Sequence, residues 1–200
     1  MGRLATSFIL GYHGCEKSVA EAVVSGNADL SASSSDFDWL GKGVYFWEAD
    51  PKRAHEWAEW RASRGDYKNP TVIGAVIDLG NCLDLTTRKD LELVKSSYEA
   101  YCREQTLTKL PIAVNKNSKK DANEDRLLRY LDCAVINYLH YMIGNWVTVP
   151  VLEPLDTVRG MFTEGGDLYK GAGFKEKTHS QISVINPDCI KGYFIPRQNI

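Results

Sequence analysis

The sequence predicts an α+β protein, on three observations. A glycine loop, Gly41-Lys42-Gly43, runs directly into Val44-Tyr45-Phe46-Trp47-Glu48, a block rich in strong strand formers. Near the other end of the chain, His179-Ser180-Gln181-Ile182-Ser183-Val184 alternates with the period of two of a half-buried strand. Between them lie stretches of helical period. The clearest starts at Asp50-Pro51, where Asp caps free N–H groups and Pro suits the first turn.

The elements follow in order. Residues 7–13 read as a strand ending at His13, and residues 16–25 as a short helix stopped by Gly26. Residues 27–38 are a loop rich in Ser, Asp and Ala that carries Ser35. In the strand 44–48, Tyr45 and Trp47 share one face, while Val44, Phe46 and Glu48 share the other. The next helix buries Ala54, Trp57, Ala58 and Ala62 and ends at Gly65. Residues 71–79 form a strand. Residues 87–105 form a helix with Leu91, Val94, Tyr98 and Tyr101 along one side. Asp121-Ala122-Asn123-Glu124 resembles a capping box that opens a long helix to about Met142. Its core stripe is Leu127, Leu128, Leu131, Val135, Tyr138, Leu139 and Met142, and Ile136 and Tyr141 fall off that stripe. Such a helix is buried between the sheet and a neighbouring helix, or it carries a partner site. Strands are expected at 157–162, 179–184 and 190–195, with a glycine-rich, locally basic segment at 163–177.

Composition limits the function classes. The chain has 200 residues, enough for one substantial core and short of two typical domains, so 1–200 reads as a single domain. Hydrophobic content of 44% and charged content of 25% are those of an ordinary soluble protein. A formal net charge of -2 argues against a strongly basic nucleic-acid binder. The five cysteines are scattered without a C-x-x-C pair, so no metal site is expected. No secretory segment and no membrane-length apolar run is evident, which points to a cytoplasmic protein without membrane contact.

Three motifs in chain order carry a resemblance: Gly11-Tyr12-His13-Gly14, Gly41-Lys42-Gly43-Val44-Tyr45-Phe46, and the strand around Gln181. The run ending Leu79-Gly80-Asn81 adds to them. Together they resemble the ADP-ribosyltransferase superfamily, in its diphtheria-toxin and poly(ADP-ribose) polymerase branch. The resemblance implies split antiparallel sheets forming a cleft for NAD, which serves as substrate. The two helices between residues 87 and 144 resemble nothing in that core and read as a helical insertion. The implied activity is mono-ADP-ribosylation of a macromolecular acceptor, protein or RNA/DNA, by a bacterial toxin or defence effector with an inhibitory partner protein.

Residue roles follow from the resemblance alone. His13 would bond ribose, the Gly14 backbone the nicotinamide amide, and Tyr45 would stack on the nicotinamide ring. Gly43 and Ser35 would border the pocket. Trp57 lies one residue past the position of the family's second stacking aromatic, which here is Glu56. The third catalytic position holds Gln181 where the polymerases have a glutamate. Its amide oxygen can accept a bond from a ribose 2′-hydroxyl, but it brings no charge and is no general base. Glu48 is the nearest carboxylate by sequence to supply that charge. His179, two residues before Gln181, shares its strand face and stands on the acceptor side. His13, Tyr45 and Gln181 are expected to converge on one cleft. The rival readings are a catalytically inactive NAD- or ADP-ribose-binding module, and an interaction protein that docks through its apolar helix.

Overall fold

The computed structural model describes residues 8–118, 125–145 and 152–197. In chain order these residues form β1 (Phe8–Glu16), α1 (Lys17–Val24), β2 (Val44–Glu48), α2 (Pro51–Ser63), β3 (Pro70–Asp78), β4 (Cys82–Asp84), α3 (Arg88–Thr108), α4 (Tyr130–Gly144), β5 (Thr157–Phe162), β6 (His179–Val184) and β7 (Ile190–Phe194). The class is α+β. The seven strands make one mixed sheet in the order β4-β5-β6-β2-β1-β3-β7, in which only β4 and β5 run parallel among the described residues.

The sheet has a narrow waist. β1 pairs with β3 along its whole length, from Phe8–Asp78 to Glu16–Pro70. Its backbone pairing with β2 comprises, among the described residues, just Gly11–Glu48 and Tyr12–Trp47. Beyond Tyr12 the two strands part, and β2 continues against β6 from Trp47–Gln181 to Val44–Val184. The expected pair of sheets is thus one sheet with a two-rung seam.

Alternation along the strands sorts side chains onto two faces. One face carries Phe46, Ile73, Ala75, Ile77, Ile182 and Val184, covered by Ala20 and Val23 of α1. The other is covered twice. Ala54 of α2 packs there on Trp47 and Val72, with Tyr12 and Trp57 alongside. On the same face, Ile136, Leu139 and Ile143 of α4 pack on Leu40, Leu83 and Val158, with Tyr45 against them. Between α2 and α4, β2 and β6 form the floor.

Local chemistry explains the helices. The Asp50 side chain accepts from Arg53 N at 2.9 Å and Pro51 takes the first position of α2. Thr87 caps α3 in the same way through Asp90 N, at 3.2 Å. α4 begins later than its sequence pattern suggests. The expected capping box, 121–124, lies outside the described residues, and Leu127 and Leu128 precede the helix. Leu128 is instead bridged to Lys116 by hydrogen bonds of 2.8 and 3.1 Å. The cap arrives from far away: Asn115 Oδ1 accepts from Leu131 N at 2.8 Å. The broad apolar surface of α4 is largely accounted for by burial on two sides. Its sheet side is the cluster above. On the other, Tyr138 meets Tyr101 of α3 edge to face, and Ser97 Oγ donates to Val135 O at 3.0 Å.

Candidate functional site

The glycine loop is shaped by what surrounds it. Gly41 has φ 77°, the left-handed region that favours glycine. Gly43 faces β6 so closely that a Cβ would run into Ser183 Oγ and stand 2.8 Å from the Val184 carbonyl oxygen. Helix α4 holds the loop from above, where Asn137 Oδ1 accepts from Lys42 N at 2.9 Å. Tyr45 holds it from below. Its hydroxyl accepts from Leu40 N at 2.9 Å and donates to Gly41 O at 2.8 Å. Burial pushes that phenol well above its ordinary pKa, so it remains a donor. The Tyr45 ring packs against the α4 cluster.

Gln181 lies across from Trp47, two rungs from the Tyr45–Ser183 pair, and shares the face of Trp47 and Tyr45. Its amide oxygen accepts from the indole Nε1–H of Trp39 at 2.6 Å. An indole nitrogen can only donate, so this bond fixes which end of the amide is the oxygen. No described residue takes up the amide N–H groups. The sequence reading had offered the oxygen to a ribose hydroxyl, yet one of that oxygen's two lone-pair positions already belongs to Trp39. Trp39 was not foreseen as a site residue. It is 142 positions from Gln181 in sequence, and no local pattern links the two. It sits over Gly160, where a Cβ would stand 2.6 Å from its ring, and meets Phe162 edge to face at 5.2 Å.

His13 is placed differently. Tyr12 pairs with Trp47, so alternation turns His13 to the opposite face, where its ring lies 5.9 Å from that of Phe46. Its Nδ1 is 2.7 Å from the Tyr45 carbonyl oxygen, just beyond the last β1–β2 rung. The structure thus puts Tyr45 and Gln181 on one face and His13 at the seam, joined to them through the β2 backbone. Burial lowers the His13 pKa and the carbonyl bond opposes this in part. Gly14 is packed tightly under α2, and a Cβ there would run into the Ala54 carbonyl oxygen.

His179 is 8% exposed and lies on the Gln181 face between the rings of Phe162 (5.7 Å) and Trp47 (6.3 Å). Its Nδ1 is 2.7 Å from Lys177 O. Desolvation lowers its pKa, so at neutral pH Nδ1 carries the hydrogen and Nε2 a lone pair. Close by, Arg53 donates to both oxygens of Glu164 at 2.9 and 3.2 Å. The Trp47 indole N–H is buried on this face without a partner among the described residues.

The other expected residues lie further out. Glu48 pairs with Gly11 on the face opposite Gln181 and is gripped by Arg159, at 2.7 and 2.9 Å. Arg159 also holds Asp84 at 3.0 Å. Glu48 is therefore turned away from Gln181. Trp57 packs on Trp47 (5.9 Å) and Trp60 (4.8 Å), with no ring contact to Tyr45, while Glu56 is exposed beside Arg53 at 3.6 Å. Ser35 sits in the loop before Trp39; its N–H donates to Ser33 Oγ at 3.3 Å, and its carbonyl oxygen meets Cys133 Sγ of α4 at 3.6 Å.

Among the described residues there is no cluster of His, Cys, Asp or Glu suited to a metal ion, and no helix long and apolar enough to cross a membrane. Comparison of the chain with family models, curated proteins and solved structures gives no match.

Proposed function

We propose that this chain is an NAD-dependent mono-ADP-ribosyltransferase acting on a macromolecular acceptor, as a cytoplasmic toxin or defence effector. One observation carries the reading. His13 and Gln181 both reach Tyr45, Gln181 as a neighbour on its face and His13 from the opposite face of the sheet, through the 2.7 Å bond to its carbonyl, so the three side chains do not share one face as the sequence led us to expect. These are the residues that the family resemblance singles out.

The groups present suit NAD. With its oxygen taken by Trp39, Gln181 has its amide N–H groups left over as donors for an acceptor-rich ligand. The Tyr45 ring offers a π face to a cationic pyridinium. In the transfer, the bond between nicotinamide and the ribose C1′ breaks, and its electron pair leaves with nicotinamide and neutralises the pyridinium. A nucleophile of the acceptor bonds to C1′, and its proton passes to a base. The neutral Nε2 of His179 is the group for that step. Gln181 carries no charge, so its part is to orient the ribose and not to neutralise the positive charge that develops on the sugar.

Incubation with labelled NAD and lysate tests the reading: nicotinamide should be released, and protease or nuclease digestion identifies the labelled acceptor. If calorimetry detects no NAD binding and no nicotinamide appears, the reading is wrong. Binding without release would favour the non-catalytic module. That second reading draws on the absence, among the described residues, of a free carboxylate beside Gln181: Glu48 faces away, and Glu164 is held by Arg53.

A further inference from the structure

We propose that Trp39 is a positioning residue for Gln181, and that it makes Gln181 meet its ligand as a hydrogen-bond donor. The inference rests on the transferase reading and names a residue and a polarity which that reading leaves open.

An unrestrained glutamine amide can rotate by half a turn and exchange its oxygen for its nitrogen at little cost. The 2.6 Å bond from Trp39 Nε1 removes that freedom, because an amide nitrogen in the oxygen's place would set donor against donor. Trp39 is itself held. Its ring rests on the bare backbone of Gly160, the cross-strand neighbour of Gln181, and against Phe162. The adjoining Leu40 is fully buried and has its N–H bonded to the Tyr45 hydroxyl. The indole is therefore pinned on both sides, and one glutamine orientation follows. The N–H groups find no acceptor among the described residues, so the ligand atom they meet is an acceptor: a ribose oxygen taken by its lone pairs, with its own hydrogen free to point elsewhere. A glutamate at position 181 would keep the Trp39 bond and lose the donors. Its charge is then the sole gain, against a lost contact.

Trp39→Phe keeps an aromatic ring over Gly160 and deletes the N–H. Gly160→Ala keeps the N–H and displaces the indole. Both are expected to lower kcat for nicotinamide release about fivefold to tenfold, roughly the worth of one neutral hydrogen bond, with the Kd for NAD within about twofold of wild type. Since Trp39 acts through Gln181, Trp39→Phe should cost nothing further in a Gln181→Ala background. A purely structural role predicts additive losses instead. Independently of activity, the Trp39 indole N–H resonance, assigned through Trp39→Phe, should move upfield and exchange faster in Gln181→Ala. Wild-type kcat in both Trp39→Phe and Gly160→Ala, additive losses in the double variant, or an indole resonance indifferent to Gln181 would each overturn the positioning role and leave the transferase reading standing. Absence of nicotinamide release from the wild-type protein would instead overturn the reading itself, and this role in catalysis with it.

Discussion

His13 Nδ1 stands 2.7 Å from the carbonyl oxygen of Tyr45, so the histidine of β1 is tied to the backbone of β2 where the strands part. A carbonyl only accepts, so Nδ1 carries the hydrogen and a neutral ring leaves its lone pair on Nε2. Burial lowers the pKa, which keeps the ring neutral at pH 7. Nitrogen NMR should report the Nδ1–H tautomer, with a protonation midpoint below that of a free imidazole. An Nε2–H tautomer, or a charged ring at pH 7, would contradict this geometry.

Tyr45→Phe removes a hydroxyl that bonds Leu40 N and Gly41 O. Leu40 is fully buried, so its N–H loses its only partner among the described residues. The cost should be about 1–3 kcal/mol in denaturant unfolding, with a largely intact ring surface. NAD affinity should therefore fall much less than in Tyr45→Ala. Equal losses in the two variants would mean that the ring does not touch the ligand.

Glu48→Gln is expected to behave as a stability variant. It removes the charge and one of the two acceptor oxygens that Arg159 grips, leaving Asp84 as the carboxylate partner of the guanidinium. The pair is mostly shielded from water, so roughly 1.5–3 kcal/mol should be lost. Nicotinamide release per folded molecule should stay at the wild-type rate. A collapse in rate without loss of stability would show that Glu48 reaches the chemistry.

Asn137→Ala should loosen the glycine loop from α4. The Asn137 amide oxygen accepts from Lys42 N, and its nitrogen reaches Cys133 Sγ at 3.3 Å. Hydrogen exchange at the Lys42 amide should speed up about tenfold, while amides of α2 stay unchanged. Unchanged protection at Lys42 would mean that the helix does not restrain the loop.

The protein should weaken in mild acid. The Nε2 of His140 is buried without a partner among the described residues, and desolvation lowers its pKa to about 4. The unfolded chain takes up this proton first, near pH 6.5, so the contribution is complete above that value. It is lost progressively as the pH falls from 6.5 towards 4, by up to roughly 3 kcal/mol. His13 and His179 act in the same direction. The melting temperature should therefore drop between pH 7 and pH 5, and less steeply in His140→Leu. Parallel pH profiles for wild type and His140→Leu would remove His140 from the explanation.

What was legible in the sequence was what is local. The strands at 157–162 and 179–184 follow from alternation, and the start of α2 from the side-chain chemistry of Asp50 and Pro51. The start of α4 was illegible because its cap is Asn115, 16 positions before the amide it bonds. β4 has three residues, too few to show a period, and is held by its parallel pairing with β5. At the site, Gln181 could be located by its strand. Its orientation could not, because Trp39 lies beyond any local window. Glu48 looked available because proximity in sequence says nothing of Arg159, 111 positions on and across the sheet.

The same long reach governs the order in which the protein can be built. β1, β2 and β3 lie within the first 78 residues, so the half of the sheet that holds His13 can pair while much of the chain is still being made. Trp47 and Gln181 cannot meet until the ribosome has passed β6, and the loop they close is among the longest in the molecule. During synthesis β2 therefore has one free edge, and the Trp39 indole has no amide to bind. A host making this protein carries nascent chains that lack the Gln181 side of the site until β6 has emerged. The activity proposed here would then switch on only after β6 has emerged and paired with β2, however slowly the chain is translated.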